Sequence, residues 1–135
     1  MLRLVYERYS QDIDAALREA DFGDIGPGAA NVFPFVPPEG DITVSRLAEL
    51  ARVRKQSMAH AVDQLEASGY VERRPNPHDQ RSRLVFLTDR GRSVPPVTHA
   101  AAQHVEERWA ELIGPAEFDA LRASLLHLLT ELRNQ

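Results

Sequence analysis

The sequence predicts a mainly α-helical protein with one small β-hairpin, and three observations predict it. Apolar residues recur at helical spacing along most of the 135-residue chain. One segment breaks that period. After Tyr70-Val71-Glu72-Arg73-Arg74 comes a polar loop and then the β-rich run Leu84-Val85-Phe86-Leu87, the pattern of a hairpin. The apolar share is 43% and the charged share 27%, which suits an ordinary folded chain. The length suits one domain over residues 1–135.

Residues 1–20 read as a helix, with Leu2, Val5, Tyr6, Tyr9, Ile13, Ala16 and Leu17 at spacings near three and four. This stripe has no partner nearby in sequence, so it is expected to pack on something distant. Phe22-Gly23-Asp24-Ile25-Gly26-Pro27 ends the helix. Pro27 suits the first position of a short second helix, to which Ala30, Val32, Phe33, Phe35 and Val36 bring apolar mass. Pro34 must kink or end that helix, and Pro37-Pro38-Glu39-Gly40 is a turn.

Thr43 then caps a third helix with Leu47, Leu50 and Ala51 facing inward. After a break at Arg52-Val53, a fourth helix runs from about Lys55 to Ser68. It presents Met58, Ala61, Val62 and Leu65 inward, and Gly69 follows as its C-terminal residue. Two short helices joined by so tight a break must cross at a large angle to bury both stripes, which is a helix-turn-helix. The hairpin makes it a winged helix-turn-helix.

Thr88 caps the fifth helix, which carries Val94, Val97, Ala101, Val105, Trp109, Leu112 and Ile113; Pro95-Pro96 calls for a bend or a delayed start. Gly114-Pro115 opens the sixth, with Phe118, Leu121, Leu125, Leu128, Leu129 and Leu132 on one stripe. The lobe spans residues 25–91. Segments 1–21 and 93–135 carry apolar faces that such a lobe cannot cover. They are expected to pack together and on a second copy, as in the common two-fold dimers; the alternative is a monomer with its end helices folded over the core.

Cysteine is absent, which excludes disulfides and thiol-based redox switching. There is no apolar run of membrane-spanning length and no signal-peptide pattern at Met1-Leu2-Arg3-Leu4, so a cytoplasmic location is expected. Net charge is −4, but it is unevenly placed: −5 over residues 1–41, +4 over 42–92 and −3 over 93–135. A basic middle between acidic ends suggests one surface suited to a polyanion, against the plain reading of chance scatter.

That surface has two candidate parts. The outer side of the 55–68 helix exposes Arg54, Lys55, Gln56, Ser57 and His60 near its start, where a helix in a major groove reaches base edges. Gln56 suits adenine, Lys55 or Arg54 guanine or a phosphate, and the first amides of the helix favour a phosphate. In the hairpin, Arg81 near the tip suits a narrow minor groove. Arg73, Arg74 and Arg83 are placed for phosphates, though strand alternation puts Arg73 and Arg74 on opposite faces. A free carboxylate at Asp79 would repel DNA, so its expected task is to hold an arginine or tie back loop amides. The plain alternative is a solvated helix face and a charged flexible tip.

Tyr9, Phe33, Phe35 and Trp109 are candidates for an apolar ligand pocket, and equally candidates for core. Histidines 99 and 104 do not share a helix face, so a metal-responsive protein would need distant ligands to converge, and no metal or cofactor is expected. No nucleophile-base pair or phosphate-binding glycine loop is visible, which argues against an enzyme. The stronger rival to DNA binding is a winged helix that binds a protein partner.

The sequence resembles the MarR family of transcriptional regulators. The matching residues are Leu47-Ala48, Val62-Asp63-Gln64-Leu65-Glu66 with Gly69-Tyr70-Val71, and above all Asp79-Gln80-Arg81-Ser82-Arg83 with Leu87-Thr88-Asp89-Arg90-Gly91. The resemblance implies a triangular homodimer joined by helices from both termini, a reading helix at 55–68 and a wing at 71–87. It implies that Arg81 is the wing arginine and Asp79 its support. It also implies repression at palindromic sites and release by small aromatic or phenolic compounds. The chain departs from the family pattern at Arg54, where a small capping residue is usual, at His60, where arginine is common, at Asn76, a common aspartate position, and at Pro34 and Pro95-Pro96, in stretches helical in relatives.

Overall fold

The structure is a computed structural model that describes residues 1–26 and 28–135. The helix start expected at Pro27 therefore lies outside the described residues. In chain order come α1 (Leu2–Glu19), a 3-10 helix (Ala29–Phe35), β1 (Ile42–Thr43), α2 (Val44–Ala51) and α3 (Lys55–Ala67). The hairpin strands β2 (Val71–Pro75) and β3 (Arg83–Leu87) follow, then α4 (Asp89–Arg92), α5 (Val94–Ile113) and α6 (Pro115–Arg133). This is a mainly α fold with a small β wing, as the periodicity predicts.

The second predicted helix closes as tight 3-10 turns with Pro34 inside it. Proline offers no amide for the next α-turn and crowds the carbonyl four residues back, which disfavours an α-helix there. Val32 and Phe33 still deliver their side chains to the core.

The wing gains a third strand that the pattern did not reveal. The two residues of β1 pair antiparallel with β3, Ile42 opposite Val85 and Thr43 opposite Leu84, giving the sheet order β1-β3-β2. Two residues are too few to show alternation. The long hairpin pairs Val71 with Leu87 and Arg73 with Val85, out to Pro75 with Arg83.

Helix α2 starts where expected, with Thr43 Oγ1 accepting from the amide of Arg46 at 3.1 Å. It buries Leu47 and Ala48, but Leu50 is 41% exposed rather than inward. Leu50 lies about 200° around the helix from Ala48, away from a face fixed by that pair. Helix α3 buries Met58, Val62 and Leu65, and Gly69 at φ 81° follows it.

The predicted 89–113 helix is two helices. Thr88 caps α4 by accepting from the amide of Gly91 at 3.1 Å, and Pro95 and Pro96 occupy the first turn of α5, the delayed start their missing amides require. Gly91 has a packing reason to be glycine: a Cβ there would lie 2.0 Å from the backbone oxygen of Tyr70.

Leu47, Val62, Tyr70, Val85 and Val94 are fully buried, in a core that joins the 3-10 helix, α2, α3, the wing and the start of α5. Helix α1 finds its distant partner in α5 and sends Ile13 and Leu17 into that core. Helix α6 packs along α5 and buries none of its residues.

Candidate nucleic-acid interface

Two elements place the predicted cations. Helix α3 is fixed by its buried stripe of Met58, Val62 and Leu65, so its other side, with Lys55, Gln56, Ser57 and His60, is exposed. Arg54 stands at its N-cap without a side-chain cap. The opening amides of α3 are thus left without the oxygen that serine or threonine would supply, and they are available to an anion.

The wing is closed by its own polar side chains. Asn76 Oδ1 accepts from the amide of His78 at 3.0 Å while its Nδ2 donates to Ser82 Oγ at 2.9 Å. Asp79 Oδ1 accepts from the amide of Arg81 at 2.9 Å, and the Asp79 carbonyl accepts from the amide of Ser82 at 3.2 Å. These are side chain-to-backbone turns of the kind Asn and Asp favour. Asp79 therefore acts on the backbone of Arg81, and the Arg81 side chain stands exposed at the tip.

Arg73 and Arg74 do lie on opposite faces of β2, and each already has an acidic partner. Arg73 is largely buried against α3. Its guanidinium donates to Asp63 at 2.6 Å and lies 3.7 Å from Glu66, and Glu66 also accepts from the Arg73 amide at 3.1 Å. This brace fastens the wing to α3. Arg74 pairs with Glu72 and lies over the Phe86 ring, 4.0 Å from its centroid. Both arginines are thus charge-compensated within the chain.

The ten basic residues of the segment 42–92 thus sort into two sets among the described residues. Arg46, Arg73, Arg74, Arg90 and Arg92 have a carboxylate within ion-pair distance. Arg52, Arg54, Lys55, Arg81 and Arg83 have none. The second set occupies two places only, the turn opening α3 and the wing. Arg83 donates to the carbonyl of Arg73 at 3.3 Å, which extends it along the hairpin. Periodicity does not mark Arg52, because it falls in the break between helices rather than on a helix face.

Comparison with known proteins places this geometry. A family model described as MarR family matches residues 36–82, from before β1 into the wing loop. A crystal structure of MarR superposes with a TM-score of 0.85 at 20% identity, over 99% of this chain and 96% of that one. Streptococcus pneumoniae FabT, in complex with DNA, superposes with a TM-score of 0.80 at 20% identity, over 98% and 93%.

This is the MarR-family winged helix-turn-helix fold.

An uncharacterized protein of Mycobacterium tuberculosis, Rv2011c, is 32% identical over 92 residues, covering 68% of this chain and 64% of that protein. The chain thus aligns with less than two thirds of that relative's length. Among the described residues no helix is long and apolar enough to cross a membrane.

Within this MarR-type fold, the four candidate pocket aromatics do not converge. Phe33 is core, edge-on to Tyr70 with ring centroids 6.0 Å apart. Tyr9 and Trp109 meet each other edge-on at 6.4 Å in the contact of α1 with α5. Burial and the nearby Glu106 carboxylate raise the Tyr9 phenol above its ordinary value. Of the four, Phe35 alone lines a cavity of about 610 Å³ between the 3-10 helix and α3, where Tyr6, Ser57, His60 and Gln64 join it. Periodicity assigned these aromatics to apolar stripes but could not say which stripe each would enter. Among the described residues no cluster of three metal-ligating side chains occurs.

A polar cluster beneath the wing went unforeseen. The buried Tyr70 hydroxyl donates to Asp24, and Arg90 lies over the Tyr70 ring at 4.2 Å while reaching Asp24 at 3.2 Å and the Ser68 carbonyl at 2.6 Å. Burial, then the bond to Asp24, pushes the Tyr70 phenol up to about 12. That bond, with the Arg90 charge, holds the Asp24 carboxyl below its ordinary value. Asp24 and Tyr70 are 46 residues apart, and no local pattern links them.

Proposed function

We propose that the protein is a sequence-specific regulator that binds double-stranded DNA as a homodimer and represses from a palindromic operator. The observation that carries this reading is the sorting of the lobe's cations. Those without carboxylate partners gather at the opening of α3 and on the wing, the two elements that a winged helix presents to a duplex. Helix α3 would enter the major groove with Lys55, Gln56, Ser57 and His60 toward base edges and Arg54 near a phosphate. Arg81 would reach the minor groove, held in place by the bond from its amide to Asp79, and Arg83 a phosphate. Arg73 and Arg74 act as braces for the wing rather than as contacts. The shared fold of FabT, whose structure holds DNA, is consistent with this docking.

Residues 1–21 and 93–135 supply the dimer contact, and residues 25–91 form the reading lobe. Leu2, Leu4, Val5 and Tyr6 of α1, Leu112 and Ile113 of α5 and the leucines of α6 are exposed in the single chain. An apolar surface of that extent marks an interface. Two-fold symmetry would set two reading helices about one DNA turn apart, hence a palindromic site. The 610 Å³ pocket, apolar but edged by Ser57, His60 and Gln64 of the reading helix, is the place for a small aromatic or lipophilic effector.

Selection of bound duplexes from a random library, with the mass measured in the same buffer, tests the reading. The expected result is a palindromic consensus, a dimer mass, and affinity falling linearly with salt on logarithmic axes. Arg81→Ala should weaken binding roughly tenfold, as expected for one charge-assisted contact per protomer, with the fold intact. If micromolar protein retains no duplex at low salt, the reading fails and the protein-interaction alternative takes its place.

A further inference from the structure

The turn between α2 and α3 holds a residue ill-suited to its backbone. Arg52 adopts φ 55° and ψ 42°, in the left-handed region. The turn needs that conformation, because it brings the Val53 amide back to donate to the carbonyl of Ala48 at 3.1 Å, which closes α2 together with the bonds from the Arg52 amide. Glycine adopts it without steric cost, whereas a residue with a Cβ is strained there. Two other non-glycine residues have positive φ among the described residues, and both are aspartates, Asp21 and Asp41. Aspartate tolerates this region because its short side chain can bond locally. Arginine has no such compensation.

Nor does the Arg52 side chain repay the fold in another way. It is exposed, and among the described residues it reaches no carboxylate; the nearby Glu49 is engaged by Arg46 at 3.0 Å. Arg52 lies two residues before Arg54 and three before Lys55, in the turn that opens α3, where three of the five uncompensated cations fall. A strained residue with an unpaired charge at a proposed interface points to use by a ligand rather than by the fold.

We propose that Arg52 is a phosphate contact at the helix-turn-helix turn, holding the DNA backbone at the rim of the groove that α3 enters. In a helix-turn-helix the first helix crosses the backbone, so the turn leaving it faces phosphates rather than base edges. The contact would add affinity and fix orientation without reading sequence. The proposal rests on the DNA-binding reading above.

Arg52→Gly in the full chain tests it, with Arg52→Lys and Arg81→Ala alongside. Two readouts are needed: thermal unfolding, and affinity for a random-sequence duplex of about 20 base pairs between about 50 and 200 mM salt. Arg52→Gly should raise the unfolding midpoint by roughly 3 °C, because the strain is relieved. Yet it should bind duplex roughly tenfold more weakly, with the logarithmic salt slope smaller by about 0.9 for each phosphate no longer neutralised. Arg52→Lys should keep most of that slope. If Arg52→Gly leaves affinity and slope unchanged while Arg81→Ala weakens binding, the Arg52 role is overturned and the DNA reading survives. A lower unfolding midpoint for Arg52→Gly would make the side chain structural and would equally overturn the proposal. If the wild-type chain binds no duplex, both fall together.

Discussion

In the winged lobe, Leu47, Met58, Val62, Leu65, Val71 and Val85 lose nearly all their surface within a single chain. Helix α6 carries six leucines over a comparable length to α1 and buries none of them. The two regions use the same kind of residue for different ends. Burying a leucine contributes about 1.5–3 kcal/mol, so the lobe's stripes account for its own folding. The leucines of α6 can make a comparable contribution only when another surface covers them. The lobe therefore encodes a fold, to which α1 and α5 add Ile13, Leu17 and Val94, whereas the leucines of α6 leave an apolar face uncovered within the single chain.

The largest expected effect breaks the lobe side of this contrast. Gly91→Ala would place a Cβ 2.0 Å from the backbone oxygen of Tyr70. That oxygen cannot easily retreat, because it accepts from the Thr88 amide at 3.0 Å where α4 begins. The variant should lose roughly 3 kcal/mol or more of stability, seen as a much lower midpoint in thermal unfolding. A midpoint within a degree or two of wild type would mean that the wing root yields, and that the lobe is less firmly packed than its burial implies.

Next in size is a test of the other side. Leu125→Asp, Leu128→Asp and Leu132→Asp together put three charges on one exposed stripe of α6. None of the three is buried in the single chain, each being 43–50% exposed, so helical content by circular dichroism should change little. The dimer dissociation constant should rise by about 100-fold or more, corresponding to roughly 3 kcal/mol. Mass by light scattering and duplex affinity should fall together. A dimer that survives the triple substitution would place the interface elsewhere, on α1 for example.

How far the sequence could be read follows the same divide. Elements fixed by local rules appear where periodicity and capping put them: α2 beginning at Thr43, α3 from Lys55, and the delayed start of α5 at Pro95-Pro96. What it missed depends on contacts between distant residues. Strand β1 exists only because β3 is beside it, and the Tyr70–Asp24 bond spans 46 residues. The cations show the same limit. Strand alternation separated Arg73 from Arg74 correctly, but the Asp63 and Glu66 that neutralise Arg73 lie on another element. Arg52 escaped notice because its significance lies in a backbone angle.

The smallest expected effect sharpens the account of the lobe, through the bond that ties the loop after α1 to the root of the wing. Tyr70→Phe keeps the buried ring, its edge contacts with Phe22 and Phe33, and the Arg90 guanidinium above it, and removes only the hydroxyl that donates to Asp24. The expected loss near neutral pH is about 1 kcal/mol, read from urea midpoints. Its pH dependence has a definite sign. The Asp24 carboxyl is held below 3.8, so the wild-type advantage should be full above pH 3.8 and disappear as pH falls through the lowered folded value. The Tyr70 phenol is raised from 10.0 to about 12, so at the alkaline end the advantage should be full below pH 10.0 and be lost as pH rises through about 12. A difference between wild type and variant that stays constant from acid to alkaline pH would show that the hydroxyl acts through packing alone, with no ionisable partner at Asp24.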